Sequence, residues 1–201
     1  MKRIFIAIFF TIFSFQATAQ ETTDKVAVEK FVEEIGNKIV GIAKEKISES
    51  KKRSKIITII DDVIDADWIA HFALGKNYKT ATEEQKQSFT KLYRDFMINT
   101  YGPKFKNYDG RKFTVNEVVE HSGFYVAKAE FLPKDSDVAI SVDFRVKKRN
   151  GKLVILDFIA EGISLIETQR SEFNSAISQN GMQQFLDELG ERVKKLKARN
   201  S

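Results

Sequence analysis

The chain has 201 residues, of which 42% are hydrophobic, and a formal net charge of +5. Its 33 basic and 28 acidic residues are too evenly balanced for a protein dedicated to nucleic-acid binding. It contains no cysteine, which excludes a disulfide framework, so hydrophobic packing has to hold the fold.

The amino terminus has the pattern of a secretory signal peptide. Lys2 and Arg3 precede an uncharged, phenylalanine-rich run over residues 4–15, and Ala17-Thr18-Ala19 supplies an A-x-A cleavage site. The run is too short to span the ~30 Å hydrocarbon layer of a bilayer comfortably. We therefore expect a signal peptide over residues 1–19 and one mature, exported domain over residues 20–201, with a retained membrane anchor as the alternative.

Helical spacing of apolar residues follows. It predicts one helix through Val28–Ile47 and a second through Ile56–Ile64, separated by a charged break over residues 48–55. We interpret the basic cluster around this break as a solvated helix end, and a docking patch is the alternative.

Two further helices have recognisable ends. Asp65 is expected to cap a short helix that stops at Gly75. Thr82-Glu83-Glu84-Gln85 is a capping box for a longer helix, which Pro103 closes.

The middle of the chain changes to a strand-like period. Asp109-Gly110 marks a turn before the first strand, and Asn150-Gly151 predicts a hairpin between residues 138–148 and 152–160. Strand parity places Val138, Ile140, Val142, Phe144 and Val146 on one buried face. The predicted fold is α+β: several helices, a curved antiparallel sheet of about four strands, then closing helices that break at Asn180-Gly181.

Ser164 begins the first closing helix and has two interpretations. A nucleophile elbow needs a second glycine where this chain has Ile166, and its histidine follows the serine, whereas His71 and His121 both precede Ser164. Ser164-Leu165-Ile166-Glu167 fits a capping box instead. We predict a helix cap and no catalytic serine.

Metal ligation has no support in the sequence. Two histidines without cysteine offer no zinc-ligand spacing, and the acidic residues between Asp61 and Asp67 lack the glycine and terminal glutamate of an EF-hand loop. We therefore predict no metal and no cofactor.

Several blocks, taken in order, resemble the MlaC family of periplasmic phospholipid-binding carriers, the toluene-tolerance auxiliary transport proteins. The similarity covers nearly all the mature chain. The blocks are Trp68–Tyr78 (WIAHFALGKNY), Thr80–Thr82 with Gln85, Phe89–Tyr101, Tyr108–Gly110, Val142–Phe144 and Leu156–Ile166.

The resemblance implies a fold that encloses an apolar pocket, and a function without catalysis. The implied protein is a soluble, monomeric periplasmic carrier that shuttles diacyl phospholipid between the outer and inner membranes of a Gram-negative bacterium and maintains outer-membrane lipid asymmetry. The implied partners are an inner-membrane MCE-domain ABC transporter complex (MlaFEDB-like) and an outer-membrane, MlaA-like lipoprotein with porin.

The resemblance also implies which residues contact the lipid, although each of them could equally be ordinary core. These residues are Ile140, Phe144 and Ile163, joined by Leu74, Tyr101, Tyr108 and Phe158.

Two other function classes remain open. An enzyme on a cone-shaped α+β fold would need a titrating centre, for which Asp143 or Asp157 with His121 are the candidates. Asp143 lies on the opposite strand face from Ile140, which argues against it. A ligand-free adaptor would instead bind envelope proteins through the basic helix junction.

Overall fold

The computed structural model describes residues 13–103, 112–133 and 136–200, with side chains from residue 23 onward. Residues 1–12 of the predicted signal peptide and the predicted turn at Asp109-Gly110 lie outside the described residues. Residues 13–19 form the start of the first helix.

The elements follow one another in the predicted order, with helices before and after an antiparallel sheet in the chain. The first helices are α1 (Phe13–Lys44), α2 (Glu49–Val63), α3 (Ala66–Leu74), a 3-10 helix (Gly75–Lys79) and α4 (Glu83–Tyr101). The strands are β1 (Lys112–His121), β2 (Phe124–Leu132), β3 (Ile140–Arg149), β4 (Lys152–Ala160) and β5 (Ile163–Ser164). The closing helices are α5 (Leu165–Asn180) and α6 (Met182–Asn200).

The charged stretch over residues 48–55 was predicted to be a break, and most of it is helical. Only residues 45–48 separate α1 from α2, because the Ser48 side chain accepts a hydrogen bond from the Lys51 amide and caps α2. Lysine and arginine have high helix propensities, so the basic residues of this stretch form the first turns of α2.

The other predicted helix ends are confirmed. Asp65 caps α3 by accepting from the Trp68 amide at 2.9 Å, and Gly75 ends it with a φ of 56°. Thr82 and Gln85 form both hydrogen bonds of the capping box at the start of α4.

The strands pair in sequence order, each antiparallel to the next, so the described residues form an open meander of five strands. Four were predicted, and the two-residue β5 is the addition. Asn150 and Gly151 form the predicted hairpin turn, both with positive φ. A second such turn, at Glu161-Gly162, connects β4 to β5. Glu161 donates its amide to the Ser141 carbonyl at 3.3 Å and accepts from the Ser141 amide at 3.1 Å, which holds this turn on β3.

Strand β4 contains a bulge at Leu156. Arg145 pairs with Asp157 and Val146 pairs with Ile155, so Leu156 has no partner on β3. The extra residue reverses the alternation of side chains along β4. As a result, Ile155 and Phe158 face the same side of the sheet although their positions differ in parity.

Most of the buried apolar side chains of the described residues fall into two clusters. The helical cluster contains residues of α3, α4, α5 and α6. At its centre, the rings of Phe89, Tyr93 and Phe173 make stacked and edge-to-face contacts. The sheet cluster joins α1 to the face of the sheet that carries Phe144, Val146 and Ile155. The boundary between the two clusters positions the candidate site.

Candidate functional site

A cavity of about 220 Å³ lies between the helices and one face of the sheet. Its helix wall contains Ile35 and Ile39 of α1, Ile60 and Val63 of α2, and Met97 and Ile98 of α4. Its sheet wall contains Phe113, Phe131, Val142, Phe144, Ile155 and Phe158. The lining is completed by Gly36, Val40, Ile64, Tyr101, Gly102, Ala160 and Leu165. Except for the Tyr101 hydroxyl, the side chains that line the cavity in the described part of the chain are all apolar, and Gly36 and Gly102 have none.

Three aromatic rings of the sheet wall contact one another. Phe144 makes edge-to-face contacts with Phe113 at 5.9 Å and with Phe158 at 5.3 Å between ring centroids. Such pairs stabilise one another beyond their burial. Gly36 of α1 allows this arrangement, because a Cβ at that position would overlap the Phe113 ring.

The Tyr101 hydroxyl is part of a buried polar network. The Gln169 amide donates to the Tyr101 oxygen at 3.1 Å, and Tyr93 donates its hydroxyl to the other end of the same amide group. Burial, with a smaller effect of Tyr101, raises the pKa of Tyr93, which therefore stays a neutral donor. Among the described residues, the lining thus has one polar group and no charged side chain, which suits hydrocarbon.

Three of the sequence-predicted site residues, Tyr101, Phe144 and Phe158, line the cavity together. Ile140 and Ile163 lie next to it, because Ile140 pairs with the lining residue Phe131 and Ile163 pairs with Ala160. They are 37% and 62% exposed, so they form a rim and not a wall. The predicted inward parity of β3 holds for Val142, Phe144 and Val146.

Leu74 lies elsewhere, and Tyr108 lies outside the described residues. Leu74 is 0% exposed and packs in the helical cluster with Ala70 and Ala73. The buried face of α3 turns toward α4 and α5, which removes Leu74 from the cavity wall.

Sequence reasoning missed most of the helix wall. The apolar stripes of α1 and α2 were visible in the sequence, but such a stripe shows only that a face is buried. It does not distinguish a face packed on protein from one packed on a ligand.

The candidate catalytic pair of His121 and Asp157 is not brought together. His121 ends β1 and stacks on Phe124 at 5.1 Å, whereas Asp157 lies three strands away on β4, a separation of about 14 Å at the usual strand spacing. Asp157 is 3% exposed and accepts hydrogen bonds from Ser164 Oγ at 2.6 Å and the Ile166 amide at 3.2 Å. Ser164 also accepts from the Glu167 amide, the predicted cap. Its hydroxyl therefore has structural partners on both sides.

The described residues also contain neither a metal site nor a membrane-spanning helix. Over residues 13–103, 112–133 and 136–200, no three His, Asp or Glu side chains are grouped so that they could hold a metal ion. Within these ranges, no helix combines the length and apolar character needed to cross a bilayer.

A family model described as "MlaC protein" matches residues 30–191, from within α1 to within α6. The chain belongs to the MlaC family. The sequence resemblance is thereby confirmed. The MlaC match contains every described residue of the cavity wall.

Two relatives extend the comparison. The intermembrane phospholipid transport system binding protein MlaC of Haemophilus influenzae is 19% identical over 202 residues, covering 94% of each chain. A phospholipid-binding protein from Ralstonia solanacearum, solved in complex with a phospholipid, is 20% identical with a TM-score of 0.72. That alignment covers 86% of this MlaC chain and 98% of the solved one, which confirms the predicted α+β fold.

Proposed function

We propose that this protein is a soluble periplasmic carrier that binds diacyl phospholipid, with the acyl chains in the cavity and the headgroup in water. It shuttles lipid between the outer and inner membranes and so maintains outer-membrane lipid asymmetry. The observation that carries the proposal is the apolar cavity within the MlaC match. The names of the two relatives, one of them solved with a phospholipid, support the same ligand.

The physical task explains why no catalytic residue is required. Two acyl chains contain about 30 methylenes, and at ~0.8 kcal/mol each their exposure to water costs on the order of 25 kcal/mol. An apolar cavity removes most of this barrier. Because the headgroup stays hydrated, the protein does not need to discriminate strongly among headgroups.

The cavity has to widen for this ligand. Its volume of about 220 Å³ is below the roughly 300–1,000 Å³ of pockets that hold drug-sized molecules. Met97 and Ile64 border the cavity from the helical cluster, whereas Ile35, Ile39 and Val63 belong to the sheet cluster together with the sheet wall. We infer that acyl chains enter where the two clusters meet, by moving Met97 and Ile64 away from the sheet cluster, which leaves the interior of the helical cluster packed.

The lipid contact proposed for each predicted site residue follows from its position in or beside the cavity. Tyr101, Phe144 and Phe158 contact acyl chains inside the cavity. The exposed side chains of Ile140 and Ile163 cover the chains at the rim during entry and release.

Handover takes place within complexes, because release of lipid into water would cost the full transfer free energy. The proposed partners are an inner-membrane MCE-domain ABC transporter complex and an outer-membrane, MlaA-like lipoprotein with porin. The net direction then depends on relative affinities or on ATP hydrolysis by the transporter.

Native mass spectrometry of protein purified from periplasm without detergent tests the ligand. We expect diacyl phospholipid at close to one molecule per chain, identified after extraction. Empty protein that also takes no lipid from vesicles would contradict the proposal and favour the ligand-free adaptor. A bound polar metabolite would favour an enzyme.

A pair of glycine variants tests the location. Gly102 lines the cavity, has ordinary right-handed helical φ and ψ, and offers open space to a side chain. Gly102→Phe should therefore occupy the cavity without backbone strain and lower lipid occupancy. Gly41→Phe is the matched control, because Gly41 also has open space but is exposed outside the cavity. Equal occupancy in both variants would show that the lipid binds elsewhere.

The rim is tested in the same way. Ile140→Glu and Ile163→Glu should fold and lose lipid, because each places a charge where acyl chains pass. Normal occupancy in both would remove these two residues from the site.

A further inference from the structure

Two basic stretches that are distant in sequence meet at one end of the molecule. One covers residues 44–55, at the end of α1 and the start of α2, and the other covers residues 194–200, the end of α6. Arg53 joins them by donating from Nη1 to the Asn200 carbonyl at 2.7 Å. Asn200 in turn donates to the Asn99 carbonyl of α4 at 2.8 Å. We call this surface the basic end.

The basic end concentrates the positive charge of the protein. Its two stretches contain ten basic and two acidic residues, a net charge of +8, whereas the whole chain carries +5. The rest of the chain is therefore net negative by three. Such a dipolar distribution orients a protein in an external field.

Only some of the cations of the basic end form ion pairs with acidic side chains. Lys52, Lys55 and Lys197 form ion pairs with Glu49, Glu45 and Asp95. Five others are exposed and form no ion pair within the described part of the chain: Lys44, Lys46, Lys51, Lys195 and Arg199.

The basic end adjoins the helix wall of the cavity. Val40 lines the cavity, and Lys44 lies one helical turn further along α1. Ile98 also lines the cavity, and its neighbour Asn99 binds the end of α6. An external surface that binds the basic end would therefore also lie close to the helix wall of the cavity.

We propose that the basic end docks on the anionic surface of a phospholipid bilayer and presents the helix wall of the cavity to it. This inference rests on the proposed function, since it assigns the surface through which a carrier approaches its source of lipid. The resulting attraction is electrostatic and adds over cations near the membrane surface.

The chemistry of the surface favours a bilayer over an acidic protein. Protein interfaces have a desolvated core enriched in large apolar and aromatic residues. The exposed large hydrophobic residues of the described chain are Val26, Val138, Ile140 and Ile163, and all lie outside the basic end. Dispersed cations without such a core match a fluid layer of anionic headgroups.

Flotation with lipid vesicles tests the proposal, using protein purified from periplasm. The vesicles contain about 30% phosphatidylglycerol in phosphatidylcholine, or phosphatidylcholine alone, because only the former has the negative surface potential that attracts Lys and Arg. The test variant is K44Q/K46Q/K51Q. The matched control is K76Q/K79Q/K152Q, which removes the same charge from three exposed lysines outside the basic end.

We expect wild type and the control to bind the anionic vesicles, and the test variant to bind on the order of 100-fold more weakly, since each cation contributes about fivefold. K44R/K46R/K51R should restore binding. Equal binding of test and control variants, or no dependence on phosphatidylglycerol, would overturn the proposal. So would failure of wild type to bind, in which case a protein partner for the basic end becomes the better explanation.

Lipid occupancy, measured on the same samples by native mass spectrometry, separates this inference from the proposed function. We expect K44Q/K46Q/K51Q to retain its bound lipid, because none of the three residues lines the cavity. Vesicle binding by a protein that never contains lipid would contradict the carrier function and leave the docking surface established.

Discussion

Arg145 of β3 lies directly opposite Asp157 of β4, with 3.6 Å between Arg145 Nη1 and Asp157 Oδ2. The carboxylate also accepts from Ser164 Oγ and the Ile166 amide, so one buried group ties two strands to the start of α5. Arg145 extends the connection to Glu167 at 3.1 Å.

Asp157→Ala should lower the free energy of unfolding by about 3 kcal/mol, because it leaves the buried Ile166 amide and the partly buried Ser164 hydroxyl without an acceptor and Arg145 with one partner fewer. Urea denaturation measures the change. Asp143→Ala is the control, since Asp143 is a half-exposed residue of the neighbouring strand. A loss of the same size in both variants would contradict the bridging role.

The stability conferred by Asp157 should depend on pH. Burial raises the pKa of Asp157, although its hydrogen bonds and Arg145 act in the opposite direction. Between the unfolded-state pKa of about 3.9 and the higher folded-state value, the folded protein holds a proton that the unfolded chain releases. The contribution is therefore complete below about pH 4 and is lost as the pH rises through the folded-state pKa.

Comparison with Asp157→Asn isolates this effect. The free energy of unfolding of wild type, relative to that of the variant, should be higher near pH 4 than near pH 7. Urea denaturation across this range gives the difference. A constant difference, or one that grows with pH, would show that burial does not control this carboxyl group.

Two helix caps provide a graded comparison. Ser164→Ala should cost more stability than Thr82→Ala, for which about 1 kcal/mol is expected. Both side chains accept from a backbone amide, but Ser164 also donates to the buried Asp157. Thermal unfolding of the two variants checks the order, and an equal loss would mean that the Ser164–Asp157 bond adds nothing.

Gly36→Ala should destabilise the fold by about 1–3 kcal/mol, because the new methyl group displaces the Phe113 ring from its place in the cavity wall. Gly41→Ala on the same helix meets no neighbouring atom and should be neutral or stabilising. Adding Phe113→Leu to Gly36→Ala should recover part of the loss. A double variant that simply adds the two single losses would contradict the proposed overlap.

The sequence predicted the elements with local causes well. Asp65, Thr82 and Ser164 cap helices through hydrogen bonds to residues three positions away, and Asn150-Gly151 forms a turn from its own backbone preferences. Strand parity also predicted the orientation of Phe144 on β3. In each case the information lies within a few residues of sequence.

Features that depend on distant residues could not be predicted in this way. The bulge at Leu156 is defined by pairing with β3, and it decides that Ile155 and Phe158 share the cavity. Leu74 has the apolar character of a lining residue, but the packing of α3 against α4 and α5 places it in the helical cluster. The meeting of Arg53 with Asn200 joins residues 147 positions apart.

The division of the core into two clusters bears on how cooperatively the protein melts. Met97 and Ile64 border the cavity from the helical cluster, and Ile39 and Phe144 border it from the sheet cluster. A lipid between them would act as interior shared by both halves. Calorimetry of the loaded protein should then show a single two-state transition, while delipidated protein should show a calorimetric enthalpy that exceeds the van't Hoff value. The ligand of a carrier would thus also be the component that makes its core continuous.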